Sequence, residues 1–192
     1  MNTITPNVII GENVDVLSPF PRIYLDRLVK WMHQYKSLVT NDFVDSSDEN
    51  IKAILEAFID ESQTFAIVDK HDKIGLNIEG PIVVGAVLVE PGVPINKYLH
   101  IVSQRRAWGK NLIDEGASMI VKYMFESEPN LARLSALMLN NNRAVVSFVE
   151  KQGFKREGYF KDSTQIKGEL RDMVHYGLTR KNFNEMNINE VT

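Results

Sequence analysis

The chain has 192 residues, the length of a typical globular domain, and it carries a net charge of −3 with a pI of about 5.8. Nucleic-acid-binding proteins usually carry a basic excess, so this balance argues against a nucleic-acid partner. The absence of cysteine excludes disulfides, thiolate metal sites and a cysteine nucleophile. We therefore expect a single domain over residues 1–192, with no metal site.

Nothing in the sequence points to a membrane partner. No apolar run approaches the roughly 18 residues that a membrane-spanning helix needs. Residues 1–6 lack the basic segment followed by an apolar segment that marks a signal peptide. We expect a soluble, cytoplasmic protein.

The N-terminal part is predicted to contain an edge strand or short hairpin and then two helices. Short apolar runs at 8–10 and 14–17 predict the strand or hairpin. Apolar residues recur at helical spacing over 23–35 and again over about 49–61. The run Ser46-Ser47-Asp48-Glu49 is typical of the start of that second helix.

Strands and helices are mixed in the rest of the chain. Apolar and β-branched runs predict strands at 64–68, 81–89 and 98–102, with a polar hairpin connection at 69–80. A long helix follows Gly109, and the tail from about 183 to 192 is polar and expected to be loose. This mixed order of strands and helices predicts an α+β or α/β sandwich around one central sheet. The remaining predicted elements are a strand at 131–138, a short helix at 142–152 that Gly153 closes, and strands at 154–160 and 173–180 around a turn near Lys167-Gly168.

The transition from the strand at 98–102 into the long helix contains a short basic loop. Arg105, Arg106 and Lys110 lie around Gly109 in an otherwise acidic protein. The N-terminus of a helix has unpaired backbone N–H groups and a partial positive charge, and a glycine lets a phosphate approach the backbone closely. The loop suits a pyrophosphate, although on its own it could equally be a solvated basic turn.

This loop resembles the cofactor loop of the GNAT superfamily of N-acetyltransferases. The family pattern is Gln/Arg-x-x-Gly-x-Gly/Ala between the fourth strand and the third helix, and Arg106, Gly109 and Asn111 fall at its three places. Asn111 stands where a small residue is usual, and asparagine tolerates unusual backbone angles better than most residues.

Two further blocks resemble the same family, in the same order, and the resemblance covers about residues 82–183. The first is similar to the signature Asn…Glu-Lys-x-Gly-Phe-x-x-Glu-Gly. The second is similar to the closing pattern of the branch that includes the ribosomal-protein N-terminal alanine acetyltransferases. The matching residues are Asn142, Lys151, Gly153, Phe154, Glu157 and Gly158 in the first block, and Gly168, Asp172, Tyr176, Leu178 and Arg180 in the second.

The resemblance implies acetyl-CoA as co-substrate and a GNAT-like fold. That fold is a mixed, mostly antiparallel central sheet with helices on both faces and a V-shaped splay between strands 4 and 5. The pantetheine arm of the cofactor would lie in the splay and pair with strand backbone near Val102, as an added strand would. Asn142 would hydrogen-bond the arm, or would only cap its helix. The pyrophosphate would be held by the amides from Arg106 to Leu112, a segment that includes Gly109, Lys110 and Asn111.

The general acid and base are less clear in the sequence. The family positions that often supply an ionisable or hydroxyl group are here Val145, Val149 and Thr164. His100 is the best remaining candidate for a catalytic base, because it lies two residues before Val102 on the same side of the pleat and imidazole accepts protons near neutrality. A structural role for His100 and deprotonation through water remain open, and Glu90 and Tyr159 are weaker candidates.

Three functions are compatible with these residues. The first is an N-acetyltransferase that moves an acetyl group to a primary amine of a protein N-terminus, a lysine or a small molecule. The second is a non-catalytic acyl-CoA-binding or interaction protein, and the third is a module that binds another phosphate. Asp45, Asp48 and Glu49 could line an acceptor entrance or cap the second helix. The resemblance also suggests a homodimer.

Overall fold

The computed structural model describes residues 7–34, 47–61, 63–71, 82–90, 93 and 95–189. Eight strands form one sheet in the order β1-β2-β3-β4-β5-β6-β8-β7. The strands are β1 (Asn7–Ile10), β2 (Val14–Ser18), β3 (Gln63–Asp69), β4 (Ile82–Glu90), β5 (Asn96–Ser103), β6 (Arg133–Leu139), β7 (Lys155–Ile166) and β8 (Glu169–Thr179).

Five α-helices and two short 3-10 turns complete the described part of the chain. The 3-10 turns are Arg22–Tyr24 and Arg105–Ala107. The order of elements agrees with the sequence prediction, and the N-terminal segment forms the hairpin alternative. The helices are α1 (Leu25–Gln34), α2 (Asp48–Glu61), α3 (Leu112–Ser127), α4 (Arg143–Lys151) and α5 (Arg180–Asn189).

Every pair of neighbouring strands is antiparallel except β5 and β6, which run parallel. Their pairing covers only Asn96–Tyr98 against Arg133–Ser135. Beyond this point β5 pairs only with β4 and β6 only with β8, so the two strands part like a V. This confirms the predicted mixed, mostly antiparallel sheet with a splay. Because the N-terminal hairpin counts as two strands, the splay lies between the fifth and sixth strands.

Each face of the sheet carries its own apolar core. On one face α1 and α2 cover the strands, with Leu28 and Leu55 fully buried. On the other face α3, α4 and α5 pack, with Met124 and Leu134 fully buried. Since side chains alternate between the faces of a strand, β4 sends Val87 to one core and Leu88 to the other. In the part of the chain that the structure describes, no helix is long and apolar enough to cross a membrane.

A glycine sets the distance between α3 and the sheet. A Cβ atom at Gly116 would lie 2.7 Å from Cγ2 of Ile67 on β3, closer than real carbon contacts allow. Any larger residue at Gly116 would push α3 outward, and with it the helix N-terminus that follows the basic loop. The fold therefore needs a glycine here for close approach.

Two segments differ from the sequence prediction. The strands at 154–160 and 173–180 extend into one long hairpin, since β7 continues to Ile166. Its added residues are mostly polar and exposed, so they lack the apolar alternation that marks a strand. The expected loose tail from about residue 183 is wrong as far as 189, because α5 covers this segment and buries Phe183 against Phe125 of α3.

Asp48 and Glu49 lie in the first turn of α2, and the residue that caps the helix is Ser47. The hydroxyl oxygen of Ser47 accepts a hydrogen bond from the amide of Asn50, at 3.3 Å. Oδ1 of Asp48 lies 2.8 Å from Nδ1 of His33, and the pKa of Glu49 is lowered by its own backbone amide and by Ser47. The predicted alternative, an acceptor entrance, has no support from these contacts, and Asp45 lies outside the described residues.

One carboxylate on α3 holds the turn between β1 and β2. Oε1 of Glu115 accepts hydrogen bonds from the amides of Glu12, at 2.7 Å, and Asn13, at 2.9 Å. Oε2 accepts a third from the side-chain amide of Asn13, at 3.0 Å. Burial alone would raise the pKa of Glu115, but these bonds and one from the amide of Val14 lower it below the ordinary value of 4.5.

We expect this carboxylate to make stability depend on pH. Because the folded pKa is the lower one, its contribution is complete above the unfolded pKa and is lost as the pH falls through the folded pKa. Glu115→Gln should lower the free energy of unfolding at pH 7 by about 1–2 kcal/mol, since the backbone bonds lose their charge assistance and the NH2 group of glutamine cannot accept from Asn13. Urea titrations from pH 7 downward should show wild type and variant converging. A constant difference across that range would refute the assignment.

Candidate functional site

The basic loop after β5 has the backbone of an anion-binding turn. After the 3-10 turn Arg105–Ala107, Gly109 adopts φ 72° and Asn111 adopts φ 61°, both left-handed. The first bond of the helix runs from the amide of Glu115 to the carbonyl of Asn111, at 2.9 Å. Helix α3 thus begins at Leu112, three residues later than the glycine-led start that the sequence suggested.

The left-handed conformation of Asn111 explains its presence in a position where the family pattern has a small residue. Asparagine adopts this conformation more readily than other residues with a side chain. At Gly109 a Cβ atom would meet nothing within 4 Å among the described residues, so the space beside this backbone is open. The two positions together turn the chain so that the start of α3 faces outward.

The loop joins this backbone to positive charge. The first-turn amides of Leu112 and Ile113 precede the first helical hydrogen bond, so the helix itself supplies no acceptor for them. Arg106 and Lys110 are exposed beside them, and Nε of Arg106 donates to the side chain of Gln104. A helix N-terminus with these cations can hold an anion with two adjacent phosphates.

An exposed indole braces the same loop. Nε1 of Trp108 donates to the hydroxyl of Ser103 at the end of β5, at 2.9 Å, and the ring remains 44% exposed. This bond ties the loop to the last residue of the strand that borders the splay. The loop and the strand edge are therefore positioned as a unit.

Two hydrogen bonds show which residues of β5 direct their backbone groups toward the splay. Along a strand, the backbone polar groups of successive residues point to opposite edges. The amide of Arg133 on β6 donates to the carbonyl of Ile95, at 3.1 Å, so Ile95 points toward β6. By alternation, the backbone groups of Leu99 and Ile101 also point toward β6, into the gap.

The hydrogen bonds between β5 and β4 lead to the same assignment of the backbone groups. The amide of Gln104 donates to the carbonyl of Val84 on β4, at 2.8 Å, so Val102 also directs its backbone groups toward β4, where it pairs with Ala86. Val102 was predicted to make the backbone bonds in the splay. In the structure the side chain of Val102 lines the gap, but its amide points toward β4, and the backbone groups of Leu99 and Ile101 face the gap instead.

A cavity of about 650 Å³ passes through the splay. On one face of the sheet it is lined by residues of α3 and α4, and on the other by residues of α1 and α2. Leu99, Ile101 and Ala136 belong to the first face, and His100 and Val102 to the second. The gap between β5 and β6 therefore connects the two faces, as a site for two reactants approaching from opposite sides would require.

His100 lies in this cavity with a carboxylate partner that the sequence did not reveal. Its Nε2 is 3.1 Å from Oε2 of Glu90, which lies diagonally opposite on β4 and also lines the cavity. The edge of the imidazole meets the ring of Phe58 on α2, with centroids 6.2 Å apart. Both members of the pair remain about half exposed. The arrangement can orient an imidazole toward the gap.

Asn142 caps α4 and also lines the cavity. Its Oδ1 accepts from the amide of Val145, at 3.4 Å, which is the capping interaction. The cap uses the oxygen of the carboxamide, and the NH2 group is a separate donor. Gln152 at the other end of α4 bonds Ser118, at 2.7 Å, and the carbonyl of Asp114, at 3.1 Å, so α4 is tied to α3.

The other residues that the sequence analysis weighed as acids or bases have different positions. Val145 and Val149 line the cavity but have no proton to exchange. Thr164 lies on the β7–β8 hairpin, opposite Arg171. The hydroxyl of Tyr159 donates to Asp172, and this bond together with burial raises the pKa of Tyr159. In the described residues these contacts leave the His100–Glu90 pair as the ionisable lining of the cavity.

The chain is similar in sequence to known N-acetyltransferases. The acetyltransferase (GNAT) domain family matches residues 16–155. An uncharacterized N-acetyltransferase p20 of Bacillus licheniformis is 28% identical over 79 residues, which are 41% of this chain and 44% of that protein. The chain thus aligns with less than half the length of this relative.

Solved structures share the fold at low sequence identity. The spermidine N-acetyltransferase of Vibrio cholerae, in complex with CoA and spermine, has a TM-score of 0.73 at 15% identity, over 91% of this chain and 99% of that one. The ribosomal-protein-S5-alanine acetyltransferase of Vibrio fischeri has a TM-score of 0.68 at 16% identity, over 90% and 96% of the two chains.

The solved structures share the overall fold described above, and the family model covers residues 16–155. They confirm the predicted family, the predicted fold class and, through the family, acetyl-CoA as the co-substrate of this kind of acyltransferase. The chain belongs to the GNAT acetyltransferase family.

Proposed function

We propose that this protein transfers an acetyl group from acetyl-CoA to a primary amine by direct attack in a ternary complex. The observation that carries the proposal is the cavity that crosses the sheet between β5 and β6. It gives the cofactor arm one face and the acceptor the other, so that the two reactants meet in the gap. Holding both reactants in one geometry is itself a large part of such catalysis.

The cofactor side is built mainly from backbone. The amides at the start of α3, with Gly109 and Lys110 beside them, would hold the pyrophosphate. The pantetheine arm would pair with the edge of β5 at Leu99 and Ile101, as an added strand does. The NH2 group of Asn142 would donate to the arm while its oxygen caps α4. These are proposed contacts, supported by the outward-facing amides and by the open edge in the described part of β5.

The acceptor side supplies the chemistry of proton removal. The amine must reach the thioester carbon with a free lone pair, so His100 would accept its proton, and Glu90 would orient the imidazole. As the new C–N bond forms, a gap-facing amide of β5 would hydrogen-bond the oxyanion. The nitrogen then loses its second proton to water, the C–S bond breaks, and CoA leaves as a thiolate. Since Val145 and Val149 cannot donate a proton, the thiolate would be protonated from solvent.

A second candidate function is a non-catalytic acyl-CoA-binding protein. The apolar Val145 and Val149 favour it, because they line the cavity at positions where the family resemblance implies a hydroxyl group. The two functions differ in one measurable respect. A binding protein holds acetyl-CoA without releasing the CoA thiol, whereas a transferase releases it when an amine is present.

The test combines calorimetry with a thiol-release assay. Titration with acetyl-CoA should give saturable heat, and a panel of primary amines should then give amine-dependent thiol release. Binding without release on any amine would overturn the transferase in favour of the binding protein. No heat at millimolar acetyl-CoA would overturn both.

His100 should act as the base in this reaction. Replacing it by glutamine keeps a polar side chain but removes the titratable group, so we expect kcat to fall by about a hundredfold, the lower range for general-base catalysis. The rise of kcat with pH should disappear with it. His71→Gln, at an exposed histidine that does not line the cavity, is the matched control. A wild-type pH profile in His100→Gln would retire the residue as a base.

Glu90→Gln should have a smaller effect, because it preserves a hydrogen bond to His100 and removes only the charge. We expect kcat to fall by about tenfold with an altered pH profile, as for a positioning residue. Thermal unfolding should be unchanged in each of these variants, since both side chains are about half exposed.

The pyrophosphate site can be tested with an isosteric pair at Gly109. Asp and Asn have the same size and both tolerate the left-handed φ of 72°, so backbone strain is matched between them. Gly109→Asp places a negative charge against the phosphates and should weaken CoA binding at least about tenfold more than Gly109→Asn does. Calorimetry gives both affinities. Equal affinities in the two variants would show that the phosphates lie elsewhere.

A further inference from the structure

The acceptor half of the cavity is lined almost entirely by apolar side chains. Met32 of α1 and Ile54 and Phe58 of α2 form its wall over the sheet. Met32 is buried, and the other two are partly buried. A surface of this kind binds an apolar group and gives a second charged group nothing to pair with.

Leu137 of β6 completes this wall from the far side of the gap. It pairs with His175 of β8, whose ring lies 6.1 Å from that of Tyr98, and Tyr98 shares a face of β5 with His100. Leu137 therefore projects to the same face of the sheet as His100. Its side chain lines the cavity and is 42% exposed, although it is a large apolar residue.

Among the described residues, the carboxylates beside this wall already have partners. Among the described residues that line the cavity, Glu90 is the one carboxylate, and it contacts His100. Glu157, which lies beside His175 on the same face, forms an ion pair with Arg133. Glu90 lies beside His100 at the reacting end of the acceptor and Glu157 is held by Arg133, so neither is placed to pair with a second ammonium group at the far end.

We propose that the acceptor is a primary amine with a single positive charge next to an apolar group. This class includes alkylamines and arylalkylamines and also peptide N-termini whose first side chain is apolar. The proposal rests on the proposed function and narrows it. Polyamines are poor acceptors here, because burying an unpaired ammonium against Met32, Ile54 and Leu137 is more unfavourable than burying a methyl group of the same size.

The direct test compares hexylamine with cadaverine, using the full chain and saturating acetyl-CoA. The two amines have the same number of non-hydrogen atoms and differ in that a second ammonium replaces the terminal methyl group. We expect kcat/KM for hexylamine to exceed that for cadaverine by at least about tenfold. A parallel pair of short peptides, identical except for leucine or lysine as first residue, should show the same direction. The pair with the higher kcat/KM identifies the source of the amine.

A variant should reverse this preference. Leu137→Glu adds a carboxylate at a partly exposed position that the proposal does not assign to catalysis. It should raise the cadaverine to hexylamine ratio of kcat/KM by at least about tenfold. Leu137→Gln is the matched control, with the same size and no charge, and it should leave the ratio within about threefold of wild type.

The outcomes separate this inference from the proposed function. Thiol release with a preference for cadaverine and for the lysine peptide, or with no preference, would overturn the inference and leave the transferase intact. Release with neither pair, while acetyl-CoA binds, would overturn the proposed function and the inference with it. An unchanged ratio in Leu137→Glu would show that Leu137 does not face the acceptor.

Discussion

The site depends on one constraint, which is that β5 and β6 meet for a short parallel stretch and then separate. Arg180 stabilises the place where they meet. Its guanidinium donates to the carbonyls of Phe125, at 2.9 Å, Glu128, at 2.6 Å, and Leu131, at 2.8 Å, which end α3 and lead into β6. Planar, charge-assisted bonds of this kind fix direction as well as position. The strands are thus held together at one end and are free to diverge at the other, where the cavity opens.

The sequence alone predicted the order of elements and the family. Apolar periodicity is a local property, so it revealed α1, α2, α3 and the central strands without knowledge of their partners. The loop that we propose to hold the cofactor was predicted for a similar reason, because Arg106, Gly109 and Asn111 are close in the chain and their backbone angles act locally. The short cap of α4 by Asn142 was likewise predicted from neighbouring residues.

The features that the sequence did not show depend on contacts between distant residues. Hydrogen bonds to β4 and β6 decide which residues of β5 direct their backbone groups into the gap. These residues are Leu99 and Ile101 rather than Val102. Glu90 becomes the partner of His100 only through the register of two antiparallel strands. From the sequence, the backbone groups of alternate residues along 98–104 could face either edge of β5. One hydrogen bond to a neighbouring strand is enough to decide which edge it is.

The loop before α3 has a further consequence for how such a domain diverges. A cradle made of backbone amides depends on the shape of the main chain and on few side chains. Most substitutions along 104–112 that preserve the two left-handed positions therefore leave the cradle intact. The wall that we propose to face the acceptor, in contrast, is made of side chains from three separate elements. Two domains of this fold can thus differ widely in sequence and accept different amines, while the backbone that we propose to hold the shared co-substrate keeps the same shape.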